Sequence, residues 1–316
     1  MKILLNYAPG EEHLQALRAA APGATLSVAT DEASARGLIR DADAVLGNRY
    51  FLQSIDSAER LRWFQSNSVG MDLVLQARER LGNVTVTNAR GVYSDEMAEH
   101  AVALVLSLFR RLHELRDEQH RRLWAPRPLP TVSGATFLIL GWGSVGSAIG
   151  RRLHALGGTI HGVARTRVVA LSPDGEEAVS AEHDWRTLLA TTDCLVMALP
   201  LTRETLHIVG RDELARLRSS AFVVNVGRGK NIDQDALVEA LATSRIAGAA
   251  VDVLDEEPPD AESPVWRVPS LIITPHVARS REERPPYKWE PLFAENVRRF
   301  AAGLPLLNVV DREREY

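Results

Sequence analysis

The chain has 316 residues, 45% hydrophobic and 25% charged, with 37 basic against 41 acidic side chains and a formal net charge of −4. That length supports two domains of ordinary globular composition, and the balanced charge leaves no electrostatic case for nucleic acid or an anionic membrane as partner. Cys194 is the single cysteine, which excludes an intrachain disulfide and a cysteine-rich metal site; a reducing, cytoplasmic setting is expected.

The opening run Met1-Lys2-Ile3-Leu4-Leu5-Asn6-Tyr7 is too short for a signal peptide and predicts a buried strand. No apolar stretch approaches the roughly 20 residues that span a bilayer. Over residues 1–88, apolar runs at 3–6, 25–28, 44–46, 63–65 and 84–87 alternate with helical patterns near 12–20, 31–39 and 71–80. Such alternation predicts a parallel sheet with helices on its faces. Residues 95–122 then read as one long helix, with Met97, Ala101, Leu104, Val105, Leu108 and Leu112 at helical spacing. Pro126-Arg127-Pro128-Leu129-Pro130 breaks the chain before a strand at 136–140 and a glycine-rich turn. Further strands are expected at 159–163, 194–198, 221–226, 249–253 and 271–274, separated by helical patterns. Arg284-Pro285-Pro286 suits a connector, and an amphipathic helix near 288–302 precedes an extended tail at 306–310. The predicted fold is α/β, with two Rossmann-like, doubly wound parallel-sheet domains. The first is discontinuous and flavodoxin-like, residues 1–95 completed by 285–316; the second, residues 96–284, is inserted between. A cleft between two such domains is the expected ligand site.

In the second domain, Phe137-Leu138-Ile139-Leu140-Gly141-Trp142-Gly143-Ser144-Val145-Gly146 reads as a strand, a glycine turn and a helix start. Gly141, Gly143 and Gly146 have the G-x-G-x-x-G spacing. The first allows the tight turn, the second lets backbone approach a pyrophosphate, and the third lets helix and strand pack closely. The helix start offers free N–H groups and a positive dipole to phosphates. A glycine turn that merely packs helix on sheet is the plainer reading, but the strand before and the helical Ala148-Ile149-Gly150-Arg151-Arg152-Leu153 after favour a dinucleotide site. An NAD site usually places an acid after the next strand, for the ribose 2′-hydroxyl. Here Ala164-Arg165-Thr166-Arg167 stands instead, and could hold a 2′-phosphate by charge-assisted hydrogen bonds. NADP(H) is therefore preferred to NAD(H); the alternative is solvated loop arginines and NAD bound without the acidic clamp.

Three later strands run into chemically able residues: Val224-Asn225-Val226-Gly227-Arg228-Gly229, Val251-Asp252-Val253-Leu254-Asp255-Glu256-Glu257-Pro258 and Ile273-Thr274-Pro275-His276. In an open parallel sheet, strand C-termini line one ligand-binding edge, so Arg228, Glu257 and His276 are expected on one rim. Singly, each has a plainer role as a strand cap or surface charge, and Glu256 competes with Glu257. The ordered set G-x-G-x-x-G, V-x-N-V-G-R-G, D-V-x-x-x-E-P and T-P-H resembles the D-isomer-specific 2-hydroxyacid dehydrogenases, and glyoxylate/hydroxypyruvate reductases among them. The likeness extends to Ser66-Asn67-Ser68-Val69-Gly70-Met71-Asp72, Ala98-Glu99-His100, Leu199-Pro200-Leu201-Thr202 with Thr205, and Asn308-Val309-Val310-Asp311.

The resemblance implies hydride transfer between a nicotinamide cofactor and a small 2-oxo acid or D-2-hydroxy acid. His276 would be the general acid and base, Glu257 its carboxylate partner, and Arg228 the group that binds and polarises the substrate. Leu199, Pro200, Thr205, Val226, Gly227, Arg228, Asp252 and His276 would join the glycine turn around the cofactor, Asp252 with the alternative of a purely structural acid. Ser68 and the N–H groups of Val69 and Gly70 would hold the substrate carboxylate from the first domain, with Asn48 and Arg49 near it and domain closure excluding water. The 95–122 helix and the proline-rich segment resemble the family's dimerisation region, so a homodimer is expected. Arg279 departs from the pattern, standing where a small residue is usual. Trp289 is expected in a core or interface rather than a pocket. His100, His113 and His120 on the long helix are assigned no chemistry, and no metal site is expected. Competing readings are a dinucleotide-sensing, corepressor-like binding protein and a phosphite dehydrogenase; the Glu–His pair argues against formate dehydrogenation.

Overall fold

A computed structural model describes residues 1–316 apart from 166, 180–183, 269 and 280–283. The chain separates into two compact units, one formed by Met1–Tyr93 with Arg281–Tyr316 and the other by Ser94–Ser280.

The first unit is built on five short strands: β1 (Lys2–Leu5), β2 (Thr25–Val28), β3 (Ala44–Leu46), β4 (Trp63–Gln65) and β5 (Thr85–Thr87). They lie in the order β2-β1-β3-β4-β5 and every pairing is parallel. That order is the flavodoxin-like form of the doubly wound sheet. Strands buried on both faces need continuous apolar runs, which Ile3-Leu4-Leu5 and Ala44-Val45-Leu46 supply. Helices α1 (Glu11–Ala20), α2 (Glu32–Leu38), α3 (Phe51–Ser54) and α4 (Asp72–Gln76) connect them. At the start of α2, Asp31 accepts from the Ser34 N–H at 2.7 Å while the Ser34 hydroxyl oxygen accepts from the Asp31 N–H, a reciprocal cap. The helix expected over 71–80 is shorter, because beyond Gln76 the backbone tightens into three-residue turns, Ala77 N–H to Val74 O and Arg80 N–H to Ala77 O.

The C-terminal helix, Glu290–Ala301, packs on α1. Its fully buried Asn296 donates to Gln65 Oε1 at 2.7 Å and to Leu307 O at 3.1 Å, and accepts from the Leu307 N–H at 2.8 Å. One amide thus joins that helix, β4 and the tail, and leaves none of its own polar atoms unpaired. Trp289 is buried, with its ring 4.6 Å from that of Tyr7 and 4.7 Å from that of Tyr287.

The second unit opens with α5 (Ser94–Phe109) and α6 (Leu112–His120). This corrects the single helix expected over 95–122. Arg111 adopts a left-handed φ of 48°, and the physical reason is the loss of an apolar face. Ala101, Leu104, Val105 and Leu108 of α5 are buried, whereas α6 buries no residue and its Leu112 is 52% exposed. Then follow β6 (Thr136–Leu140), α7 (Ser144–Ala155), β7 (Thr159–Ala164), β8 (Arg167–Leu171), β9 (Glu177–Val179), β10 (Cys194–Met197), α8 (Arg211–Arg216), β11 (Phe222–Asn225), α9 (Gln234–Ala242), β12 (Gly248–Val251) and β13 (Leu271–Ile273). The sheet runs β13-β12-β11-β10-β6-β7-β8-β9, parallel as far as β7.

The last two strands are antiparallel and correct the helical pattern expected between β7 and β10. Val168 and Val169 favour an extended chain. Ser172-Pro173-Asp174-Gly175 turns it, with Gly175 at φ 82° and Ser172 N–H donating to Glu176 O at 2.9 Å. Alternate residues of β6 feed two apolar layers: Phe137 and Ile139 meet α5 and α7 residues such as Leu104 and Ile149, while Leu138 and Leu140 meet Leu214 and Leu237. The sheet is therefore covered on both faces. From β6 the chain winds outward to β7, then returns to lay β10 on β6's other side. The ends of β6 and β10 thus form the switch point where such sheets bind ligands.

Candidate functional site

At that switch point, β6 ends in Gly141 and α7 begins after Gly143. Gly141 has φ 98°, and a Cβ there would stand 2.6 Å from Ala198 O; a Cβ on Gly146 would stand 1.9 Å from Gly141 O. Only glycine fits either place. A Cβ on Gly143 would instead meet nothing within 4 Å, so this face of the turn is open. No side chain caps the first turn of α7, leaving the amides around Ser144 and Val145 for an anion. This open backbone cradle fits a dinucleotide pyrophosphate. The indole Nε1 of Trp142 is buried without a hydrogen-bond partner.

After β7 the chain returns antiparallel as β8, with Ala164 paired to Arg167. Arg165 holds Glu204 at 2.8 Å, and both are substantially exposed. Thr166 lies outside the described residues. Sequence reasoning missed Glu204, which sits 39 positions away in sequence from its partner. Beyond β10, the Thr205 hydroxyl donates to Pro200 O at 2.6 Å and accepts from the Thr202 N–H at 2.8 Å, so it shapes the turn after Leu199. Val226 is buried and its N–H donates to Met197 O. Beside it, Asn225 accepts from the Gly227 N–H at 3.0 Å and donates to Arg228 O at 2.9 Å. Asn231 accepts from the Arg228 N–H at 3.0 Å and donates to Pro200 O at 3.1 Å. Two buried asparagines therefore fix the backbone that carries the half-buried Arg228.

Arg228, Glu257 and His276 follow the adjacent strands β11, β12 and β13. His276 Nδ1 lies 2.6 Å from Glu257 Oε2, while Glu257 Oε1 accepts from the Leu254 N–H at 3.0 Å. The structure thus pairs His276 with Glu257 rather than with Glu256. Nδ1–H points at a carboxylate, and His276 Nε2 has no partner among the described residues. His276 has a left-handed φ of 53°.

Asp252, 1% exposed, is spent on this loop. Its Oδ1 accepts from the Thr274 hydroxyl at 2.6 Å and the Val277 N–H at 2.9 Å, and its Oδ2 from the Ala278 N–H at 2.9 Å. Sequence reasoning also gave His100 no part, yet its Nε2 lies 3.0 Å from Thr274 Oγ1. No local signal marks a contact across 174 positions. Cys194 is fully buried in β10, and burial pushes its thiol up, so it offers no nucleophile. Among the described residues no cluster of three or more His, Cys, Asp and Glu could hold a metal ion, and no helix is long and apolar enough to cross a membrane.

In the first unit, Asn48 donates to Ser68 Oγ at 3.0 Å and accepts from the Asn67 N–H at 3.2 Å, joining the loops after β3 and β4. Asn88 donates to Val69 O at 3.0 Å, while the N–H groups of Val69 and Gly70 have no partner among the described residues and remain able to hold an anion. Arg49 stacks over the Tyr50 ring at 4.9 Å. A hollow of about 540 Å³ lies near the start of β1 and β2. Its charges pair with one another, Lys2 with Asp41 and Arg40 with Glu59, and it sits at the strand N-termini, away from the edge where such sheets bind ligands.

The family model for the NAD binding domain of D-isomer specific 2-hydroxyacid dehydrogenases matches residues 102–278. The glyoxylate reductase of Aeropyrum pernix is 36% identical over 291 residues, covering 87% of this chain and 84% of that protein. The glyoxylate reductase of Thermococcus litoralis is 31% identical over 288 residues, covering 87% and 85%. Among solved structures, an NADPH-dependent glyoxylate/hydroxypyruvate reductase from Sinorhizobium meliloti, in complex with NADP and sulfate, superposes with a TM-score of 0.84. Its identity is 26%, over 100% of this chain and 99% of that one. A D-isomer specific 2-hydroxyacid dehydrogenase from Xanthobacter autotrophicus Py2, in complex with NADPH and MES, gives 0.82 at 28% identity over 100% and 99%.

Proposed function

This chain belongs to the D-isomer specific 2-hydroxyacid dehydrogenase family, and from that premise we propose that it reduces a small 2-oxo acid, such as glyoxylate or hydroxypyruvate, to the D-2-hydroxy acid with NADPH. The observation that carries the reading is the 2.6 Å pair between His276 Nδ1 and Glu257 Oε2, with His276 Nε2 left unspent at the sheet edge that also carries Arg228. The bound nicotinamide would supply the hydride. Glu257 holds the His276 ring and balances its charge, and the protonated Nε2 delivers the proton to the substrate carbonyl oxygen. In the oxidative direction the same nitrogen takes the hydroxyl proton. Arg228 binds the substrate carboxylate and draws charge onto the carbonyl oxygen through its planar donor fork.

NADPH is favoured over NADH by the absence of an acid after β7 and by Arg165 directly after that strand. The cradle at Gly143 and the uncapped α7 support pyrophosphate binding at that helix. A homodimer is part of the proposal. Its support is α6, in which no residue is fully buried, followed by Leu123 at 51% and Trp124 at 92% exposure.

The test is oxidation of NADPH and NADH, measured separately, with glyoxylate, hydroxypyruvate, pyruvate and longer 2-oxo acids. Turnover with NADPH, reduced about a hundred-fold or more in His276→Ala, is the expected result. Tight cofactor binding without turnover of any 2-oxo acid would overturn the enzymatic reading in favour of a dinucleotide sensor.

A further inference from the structure

We infer that His100, on α5, is a positioning residue for His276, acting through Thr274 and Asp252; this rests on the reading of His276 as the proton donor. The backbone around His276 converges on one acid. Asp252 O accepts the His276 N–H at 2.9 Å, and the Asp252 carboxylate accepts the Val277 and Ala278 N–H groups and the Thr274 hydroxyl. These contacts hold His276 at φ 53°, a conformation that a non-glycine residue keeps only where its surroundings dictate it.

A carboxylate 1% exposed is costly unless it is fully hydrogen-bonded. The donors just named all come from the loop itself. His100 comes from a different element: α5 packs against β11 and β12, and His100 Nε2 reaches 3.0 Å from Thr274 Oγ1 and 3.3 Å from Asp252 Oδ1. Hydrogen accounting fixes its role. Thr274 has one hydroxyl hydrogen, and the 2.6 Å contact directs it to Asp252 Oδ1. Towards His100, then, both oxygens can only accept, so His100 Nε2 carries a hydrogen and shares it between them. His100 thereby orients the Thr274 hydroxyl and backs the Asp252 charge, and both set the loop that aims the His276 ring. The glycine turn at 141–146, which would carry the pyrophosphate, is not part of this network, so most of the cofactor affinity should not depend on it.

The test pairs His100→Phe, which keeps a ring but removes the donor, with His100→Gln, which returns an N–H at similar reach. We expect His100→Phe to lower kcat about ten- to a hundred-fold, with the NADPH dissociation constant within about two-fold, and His100→Gln to recover most of the loss. A second readout needs no turnover. The imidazole Cε1–H resonance of His276, assigned by its disappearance in His276→Ala, should move in His100→Phe and return in His100→Gln. Unchanged kcat and an unmoved resonance in His100→Phe would overturn the inference while leaving the acid role of His276 intact. Equal loss in both variants, tracking a common fall in Tm, would overturn it as well, since that is what plain packing predicts. If the wild type turns over no 2-oxo acid, the resonance alone decides whether His100 orients His276.

Discussion

The indole of Trp142 lies so close to Gly162 that a Cβ on that glycine would stand 2.0 Å from the ring, and one on Gly150 would stand 2.5 Å away. The second residue of the glycine turn thus fills a slot between α7 and β7 made by two missing side chains. Gly162→Ala should destabilise the unit by about 1–3 kcal/mol through overpacking, read as a lower urea midpoint. Pairing it with Trp142→Leu should return part of the loss, because neighbouring sites couple. Additive losses would show that the ring is not what forbids the methyl group.

Arg165 and Glu204 make the second prediction. Arg165→Ala should raise the KM for NADPH about ten-fold, the loss of one charge-assisted contact, and leave the KM for NADH unchanged. Glu204→Gln, which removes the carboxylate charge 2.8 Å from the guanidinium, should lower the KM for NADPH. Equal effects of Arg165→Ala on both cofactors would exclude recognition of the 2′-phosphate by this side chain.

His13 sets an acid limit on the first unit. Burial lowers its pKa to about 4, and its Nε2 lies 2.8 Å from the Tyr7 hydroxyl. The unfolded chain, with a histidine near 6.5, therefore binds more protons between those values. The stability from neutral His13 is complete above pH ~6.5 and is lost as the pH falls towards 4, by about 3 kcal/mol in all. His13→Gln keeps an acceptor for Tyr7 without titrating. Its urea midpoint should fall less than that of the wild type over this range, and parallel curves would remove His13 from the account.

Trp124 tests assembly. At 92% exposure in the segment after α6, it is a large apolar surface with no cover from its own chain. Trp124→Asp should convert a homodimer to monomers by light scattering, with Tm measured at matched concentration. A dimer that persists in the variant would place the interface elsewhere.

The strands and the chemistry at their ends were legible because both are local. Runs such as Phe137-Leu138-Ile139-Leu140 end at glycine, while Glu257 stands apart from Glu256 only through the family pattern that places the acid directly before a proline. The break at Arg111 was not legible, since neither proline nor glycine marks it; only burial, lost after Phe109, does. The hairpin after β7 did leave a signal, Ser172-Pro173-Asp174-Gly175, which outweighs the helical pattern around it. His100 and Glu204 acquire their partners only when distant segments meet, so no reading of neighbours along the chain could have assigned them.

The discontinuity of the first unit also fixes an order of events during synthesis. Phe293, Val297 and Val310 belong to the interior that Met1–Tyr93 begins, yet they leave the ribosome only after the whole of Ser94–Ser280. The inserted unit has its complete sequence in hand and can fold as it emerges. The amino-terminal unit must wait with part of its apolar surface uncovered until the final helix arrives, which makes that interval its period of greatest exposure to aggregation and to chaperones.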